Sequence, residues 1–389
     1  MDEIILEGPA RKPQIRASRI AVSVFFFSAG LCFASWASRI PNIQQKLKLN
    51  EAGLGSVLFA LPIGLMSSLP LAGYLVARTG SRRVSLMAAL SYALMLPLIG
   101  LVNSTWQLVL VLYLFGAAGN LLNISINTQG VSIEDLYKRS IMASFHGVWS
   151  LAGFTGAAIG TVMVSQSVSP FTHFCIVSAL VIIGITIVYR YLLSSDISGG
   201  GSGPIFARPD KVILKLGLIA MCCMICEGTM FDWSGVYFRK EVHAPRELTT
   251  IGYVAFLSTM AGGRFAGDWL STHFGKKKMI QMSGLIIAAG LMIAVLFPYL
   301  LSSTLGLLLV GMGVSSVVPL VYGAAGRSRT MSAGMALAAV STIGYIGFLL
   351  GPPLIGFIAQ AASLRWSFSV IAVLGLFTSI LALNAELDE

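Results

Sequence analysis

The feature that constrains this chain most is a succession of apolar runs, each about as long as a bilayer is thick, separated by Gly, Pro or charged breaks. A helix needs about 20 apolar residues to cross the hydrocarbon core. The runs lie near residues 18–38, 52–77, 84–102, 106–128, 140–164, 169–193, 212–238, 247–271, 279–297, 301–325, 332–360 and 366–384. No water in the bilayer can bond free backbone groups, so each run must close its own hydrogen bonds as a helix. The expectation is an all-α integral membrane protein of twelve transmembrane helices. Composition agrees, with 56% of the 389 residues hydrophobic and 11% charged, against roughly 25% charged in soluble domains.

The breaks divide the chain into a cytoplasmic amino-terminal tail (1–17), a first six-helix bundle (18–193), a Gly/Ser-rich cytoplasmic linker (194–211) and a second six-helix bundle (212–389). The tail is polar, with Pro9 and Pro13, and has no apolar core followed by a cleavage site, so it does not read as a signal peptide. The net charge of +10 comes from short loops rather than one basic face, which argues for topology and against nucleic-acid binding. One side holds Arg11, Lys12, Arg16 and Arg19, Arg78, Arg82 and Arg83, Lys138 and Arg139, Arg190, Arg208, Lys211 and Lys215, Lys276 to Lys278, and Arg327 and Arg329; the other holds Arg39, Lys46, Lys48, Arg239, Lys240, Arg246 and Arg365. The first side is the richer, so both termini and the linker are expected in the cytoplasm, with the protein in the inner (cytoplasmic) membrane.

The two bundles also repeat. A shift of 195 residues carries Gly80 to Gly275, Arg82 to Lys277, Arg83 to Lys278, Gly116 to Gly311 and Gly156 to Gly351. Two like-oriented six-helix repeats are the pattern of alternating-access carriers, whose sites lie between the halves near the midplane.

Within the seventh run stand two carboxylates, in Cys226-Glu227-Gly228-Thr229-Met230-Phe231-Asp232-Trp233. An ionisable group there costs at least a few kcal/mol unless it faces protein or water. Glu227 falls near mid-membrane and Asp232 about a turn and a half further out; at about 100° per residue the two diverge by roughly 140°, too far for a dyad. Glu227 reads as a substrate or proton site, or as a carboxyl bonded to a neighbouring helix. Asp232 reads as a second coupling group or as an ion pair, with Arg239 nearby in sequence.

Other polar residues are candidates with alternatives of their own. Asn120, Asn123 and Asn127, at i, i+3 and i+7, share one helix face, either lining a wet cavity or bonding adjacent helices. Asn donates and accepts, which suits a hydroxyl- or amide-bearing solute. His146 is a candidate proton relay or a solvated histidine near the cytoplasmic end. Arg39, after Trp36, attracts an anion, pairs with Asp232 across the halves, or snorkels. Arg264, deeper in its run, needs a carboxylate or carbonyls, and Asp268 one turn on is the nearest partner in sequence. Gly344 to Gly356, with Pro352 and Pro353, make the eleventh run kinkable, with Tyr345 and Phe348 on the approach. The five cysteines all fall within runs and no cluster has metal spacing, so neither a metal nor a cofactor is expected. There is no phosphate-binding loop and no hydrolytic triad, so no enzyme is expected.

Gly73-Tyr-Leu-Val-Ala77-Arg78-Thr-Gly80-Ser81-Arg82-Arg83 resembles the signature between the second and third helices of the major facilitator superfamily. Ala77 stands where that signature has its Asp, and Ser81 where a basic residue follows the Gly. In the second copy Asp268 stands at the first Gly position and Thr272 at the Asp position, before Gly275-Lys276-Lys277. More narrowly, the chain is similar to a bacterial inner-membrane branch that includes the rhizopine-associated membrane protein. The features that carry this resemblance are Ala34-Ser-Trp36-Ala-Ser-Arg39-Ile-Pro41, Ile126-Asn127-x-x-Gly130, His146-Gly147-x-x-Ser150, Glu227-Gly228-x-x-x-Asp232-Trp233, Gly263-Arg264-Phe265 and Gly344-Tyr345-x-x-Phe348. The resemblance implies a monomeric secondary transporter. Its cytoplasmic charge latch would run through Arg78, with Asp268 or Arg264 in place of the missing Asp.

The functional expectation is a proton-coupled carrier of a small polar organic solute. Trp36, Asn120, Asn123, Asn127, Tyr345 and Phe348 would line the path, and Glu227, Asp232 and His146 would handle protons. Export of amphiphilic compounds is the alternative, and a non-transporting membrane sensor with a transporter fold is a third.

Overall fold

The computed structural model describes residues 11–137, 141–194, 210–328 and 333–383. Its elements are helices, and no strand occurs among the described residues. In chain order they are α1 (Arg11–Lys46), α2 (Glu51–Thr79), α3 (Ser81–Leu101), α4 (Thr105–Tyr137), α5 (Met142–Ser165), α6 (Pro170–Val188), α7 (Lys211–Lys240), α8 (Ile251–Phe274), α9 (Lys276–Leu296), α10 (Leu300–Ala325), α11 (Ala333–Ala361) and α12 (Leu364–Leu383). All but α8 are long and apolar enough to cross a membrane. The inner half of α8 is where Arg264, Asp268, Ser271, Thr272 and His273 collect.

The helices outrun the apolar stretches that announce them. α1 begins at Arg11 rather than after residue 17 and runs through Pro41 to Lys46. Polar helix formers extend it past the hydrocarbon, and Pro13 in the first turn removes no intrahelical bond. α2 is three stacked pieces, Glu51–Leu58, Ala60–Ser67 and Leu69–Thr79, with breaks at Phe59 and Ser68. Most of the linker, residues 195–209, and the first ten residues lie outside the described residues.

The 195-residue shift reappears in the helices themselves. It carries both ends of α3 onto both ends of α9, the start of α4 onto that of α10, and the last residue of α2 onto that of α8. The turns that join these helices match as well. Gly80 has φ 83° and ψ 147°, and Gly275 has φ 80° and ψ 148°, a left-handed region that a side chain rarely adopts. Packing repeats in step: α1 lies on α5, α2 and α3 on α4, and α3 on α6, while α7 lies on α11, α8 and α9 on α10, and α9 on α12.

The halves meet along α1 with α7, α2 with α11, and α5 with α8. Exchanging the halves maps this set of contacts onto itself, as a two-fold axis along the membrane normal requires. At the end remote from the chain termini the seam is tight. A Cβ at Gly55 would sit 2.6 Å from the Pro352 carbonyl oxygen and 3.0 Å from Cα of Gly356. Arg239 donates to the Pro41 carbonyl and to Gln44 Oε1, Lys240 pairs with Glu51, and the Thr161 and Thr250 hydroxyls stand 2.7 Å apart.

Candidate transport cavity

Inward of that seam the halves enclose a cavity of about 520 Å³. Both contribute to its wall: Phe26, Phe33, Tyr92, Phe115, Asn123, His146 and Trp149 from the first, and Glu227, Phe231, Asp232, Arg264, Ser315, Ser316, Tyr322, Tyr345 and Phe348 from the second. Counting about 1.5 Å per residue from Lys211 puts Glu227 roughly 24 Å and Asp232 roughly 31 Å along α7. His146 lies on the second turn of α5, near the end that bears the termini. The cavity therefore runs from mid-bundle towards that end.

An ion pair sits in its wall. Arg264 Nη2 donates to Glu227 Oε1 at 3.0 Å, and the two side chains are 18% and 7% exposed. Arg264 Nη1 donates to Ser150 Oγ at 2.6 Å, and Ser150 belongs to the other half. The guanidinium also lies over the Trp149 ring, 5.9 Å from its centroid, a favourable placement for a partly desolvated cation. Sequence spacing had pointed Arg264 at Asp268. Helical side chains lean towards their own N-terminus, which carries Arg264 towards mid-bundle and within reach of Glu227. The side chain of Asp268 lies outside the described residues.

Asp232 differs from Glu227. It lines the cavity, yet no hydrogen bond or ion pair reaches its carboxylate from the described residues. The expected pairings are replaced by others. Arg239 is taken by Pro41 and Gln44. Arg39 is 1% exposed and turns into its own half, donating to His173 Nδ1 at 3.1 Å, to the Val168 carbonyl at 3.0 Å and to Asn42 Oδ1 at 3.4 Å. Neutral acceptors satisfy this cation because α6 brings a histidine and a loop carbonyl against α1, which no spacing within α1 could reveal.

The amide face of α4 divides by depth. Asn123 lines the cavity. Asn127 Nδ2 donates to the Asn123 carbonyl at 2.7 Å and to its Oδ1 at 2.8 Å, fixing that side chain. Asn120 is buried and donates to Ser68 Oγ at 2.9 Å, at the buried second break of α2. Trp36 is likewise 1% exposed and packs in the core instead of lining the wall. Tyr345 and Phe348 do line it, and His146 opens onto it, edge-on to Phe26 at 5.4 Å. Arg78 is exposed and bonds Tyr74 of its own helix. Ser81, in the basic position of the signature, is buried and accepts from Gln129 Nε2 at 2.6 Å.

Sequence reading missed Trp149, Phe231, Ser315 and Tyr322 as wall residues, and the buried Ser150 as the partner of Arg264. A signal for some of these was available. Under the 195-residue shift Asn120, Asn123 and Asn127 fall on Ser315, Val318 and Tyr322, and all three line the cavity.

Comparison with known proteins agrees with this architecture. The family model of the Major Facilitator Superfamily matches residues 21–331. An uncharacterized MFS-type transporter of Yersinia pestis is 34% identical, covering 92% of this chain and 93% of its own. Membrane protein MosC of Rhizobium meliloti is 31% identical over 96% of this chain and 91% of its own. Among solved structures, a bacterial homologue of the human lysosomal transporter Spinster, inward-facing and occupied, superposes with a TM-score of 0.75 at 16% identity, covering 99% of this chain and 98% of its own. The nucleoside transporter NupG does so at 0.73 and 13% identity, covering 94% of this chain and 98% of its own. The repeat, the packing and these matches lead to one assignment: the chain belongs to the Major Facilitator Superfamily of membrane transporters.

Proposed function

We propose that this protein is a monomeric, proton-coupled carrier of a small polar organic solute in the cytoplasmic membrane, with both termini in the cytoplasm, working by alternating access. The observation that carries the reading is the buried Glu227–Arg264 pair, which opens onto the cavity and is bonded to Ser150 of the opposite half. Removing one member's charge from a buried pair typically costs about 3–5 kcal/mol, because the other charge is left uncompensated. Inverting a two-state population from 1:99 to 99:1 takes about 5.5 kcal/mol. Protonation of Glu227 therefore acts on the scale of the transport transition.

The sign follows from the arrangement. The ionised pair belongs to the state with the outer seam closed, so protonation disfavours that state relative to one in which Arg264 finds other partners. Around Glu227 stand Arg264 from α8, Tyr322 from α10, Tyr345 from α11, and Cys223 and Cys226 from its own helix. His146 stands close enough to Arg264 to feel its charge. Neutral donors and acceptors on the wall, Asn123, Ser315, Ser316 and Tyr322, supply hydrogen bonds for a hydroxyl-bearing solute.

A second reading, export of amphiphilic compounds, draws on the aromatic wall of Phe26, Phe33, Phe115, Phe231 and Phe348. Purified protein screened by thermal shift against sugars, polyols, amino sugars, nucleosides and small acids separates the two, since ligands of the folded state raise its apparent stability. The carrier reading expects a polar ligand whose proton-driven accumulation in proteoliposomes is lost in Glu227→Gln. Full accumulation with unchanged pH dependence in that variant would refute proton coupling through Glu227. Stabilisation by hydrophobic compounds alone would favour the exporter.

A further inference from the structure

We infer that Asp232 and the aromatic residues that share its cavity wall form a subsite for a protonated amine, so that the solute carried is an amine-bearing polar molecule. This rests on the reading of the cavity as the transport site.

Arg264, the cation of the cavity wall, is committed to Glu227 at 3.0 Å and to Ser150 at 2.6 Å. Asp232 opens onto the same cavity with no hydrogen bond or ion pair among the described residues. An ionisable group at membrane depth that lacks an internal partner marks a place where a ligand supplies one. The surroundings fit an organic cation. Phe231, the preceding residue, meets Phe33 edge-to-face at 5.2 Å, Trp149 at 6.4 Å, Tyr253 at 6.2 Å and Phe256 at 5.8 Å. Phe33, Trp149 and Phe231 all line the cavity.

Aromatic faces attract ammonium groups through their quadrupoles, and more strongly when water is excluded. The Arg264 guanidinium over Trp149 shows that this wall already accepts a cation. A carboxylate and aromatic walls supply an acceptor and an apolar surround. An amine-bearing solute uses both, and a neutral polyol leaves the carboxylate uncompensated.

The test uses full-length protein in lipid nanodiscs and two matched probe pairs, D-glucosamine with D-glucose, and choline with its neutral isostere 3,3-dimethylbutanol. Calorimetric titration should show at least one amine binding about tenfold or more tightly than its neutral partner, equivalent to about 1.4 kcal/mol. Asp232→Asn should erase that preference and Asp232→Glu should restore part of it. Asp232→Asn should also unfold no earlier than the parent on heating, since it removes an uncompensated charge from a mostly apolar wall. Equal affinity within both pairs, binding by neither amine, or an undiminished preference in Asp232→Asn overturns the subsite. The carrier reading fails separately. Asp232-dependent amine binding with no counterflow in proteoliposomes keeps the subsite and sinks the carrier, whereas flux of a neutral solute indifferent to Asp232→Asn keeps the carrier and sinks the subsite.

Discussion

On α4 the cavity meets Asn123, while at the matching position of α10 it meets Val318, flanked by Ser315 and Tyr322. Charge divides more sharply still. Glu227, Asp232 and Arg264 all belong to the second half, and the 195-residue shift places them on Cys32, Ala37 and Leu69 in the first. The scaffold shows no such division, since α3 and α9 coincide under the shift and Gly80 and Gly275 share one backbone conformation. The repeat thus fixes where helices and turns lie, while the side chains at matching positions are free to differ. The first half supplies a neutral wall with Asn123 on it and, behind it, Ser150 as an acceptor for Arg264, and the second supplies every carboxylate and the guanidinium of the lining.

The strongest way to break this comparison is Arg264→Met. It strands the Glu227 carboxylate in a site where it is 7% exposed, and should lower stability by about 3–5 kcal/mol. Combining it with Glu227→Gln should recover most of that loss, because no unpaired charge remains. Chemical or thermal denaturation of the two variants in one detergent checks both outcomes. A double variant no more stable than Arg264→Met would mean that the two side chains do not act as a pair.

Ser150→Ala removes the bond by which, among the described residues, the neutral half holds Arg264 of the charged one at mid-bundle. A hydrogen bond to a charged group contributes about 1.5–3 kcal/mol, so the expected loss is smaller than for Arg264→Met. Its transport signature should be an altered pH dependence, measured by proton-driven flux once a ligand is in hand. Asn123→Ala should instead weaken solute binding by up to about tenfold, in line with the loss of one or two neutral hydrogen bonds, and leave the pH dependence as it was. If the two variants exchanged signatures, the division of labour between the halves would be wrong.

The exposed ion pair of the outer seam should matter least. Lys240 and Glu51 are 38% and 17% exposed at the side chain, and ion pairs with that much water around them contribute under about 1 kcal/mol. Lys240→Ala should therefore shift unfolding only slightly. A Leu at Gly55 should do far more, because the Pro352 carbonyl and Gly356 backbone leave it no room.

The apolar runs exposed the scaffold almost completely, because bilayer thickness and backbone bonding leave few alternatives to a helix. The repeat was legible for the same reason, since the basic turns after Gly80 and Gly275 punctuate both halves alike. Glu227, Asp232, His146, Asn123, Tyr345 and Phe348 were legible as wall residues because polar or aromatic groups stood out in apolar surroundings. Partners were not legible. Helical periodicity states which side chains share a face, and nothing in it states which helix will lie against that face. Hence Arg264 met Glu227 and Ser150 across two helix boundaries, Arg39 met His173, and Asn120 turned to the break in α2.

The central claim is that the ionised Glu227–Arg264 pair holds the outer seam shut, and it can be tested without knowing the solute. Spin labels at Gln45 and Glu247, exposed on opposite halves at the outer end, in a background freed of the five native cysteines, report the width of that seam by pulsed electron resonance. The account predicts that acidification moves population from a short to a longer distance, and that Glu227→Gln shows the longer distance at every pH. The same pH-driven shift in Glu227→Gln as in the parent would contradict it.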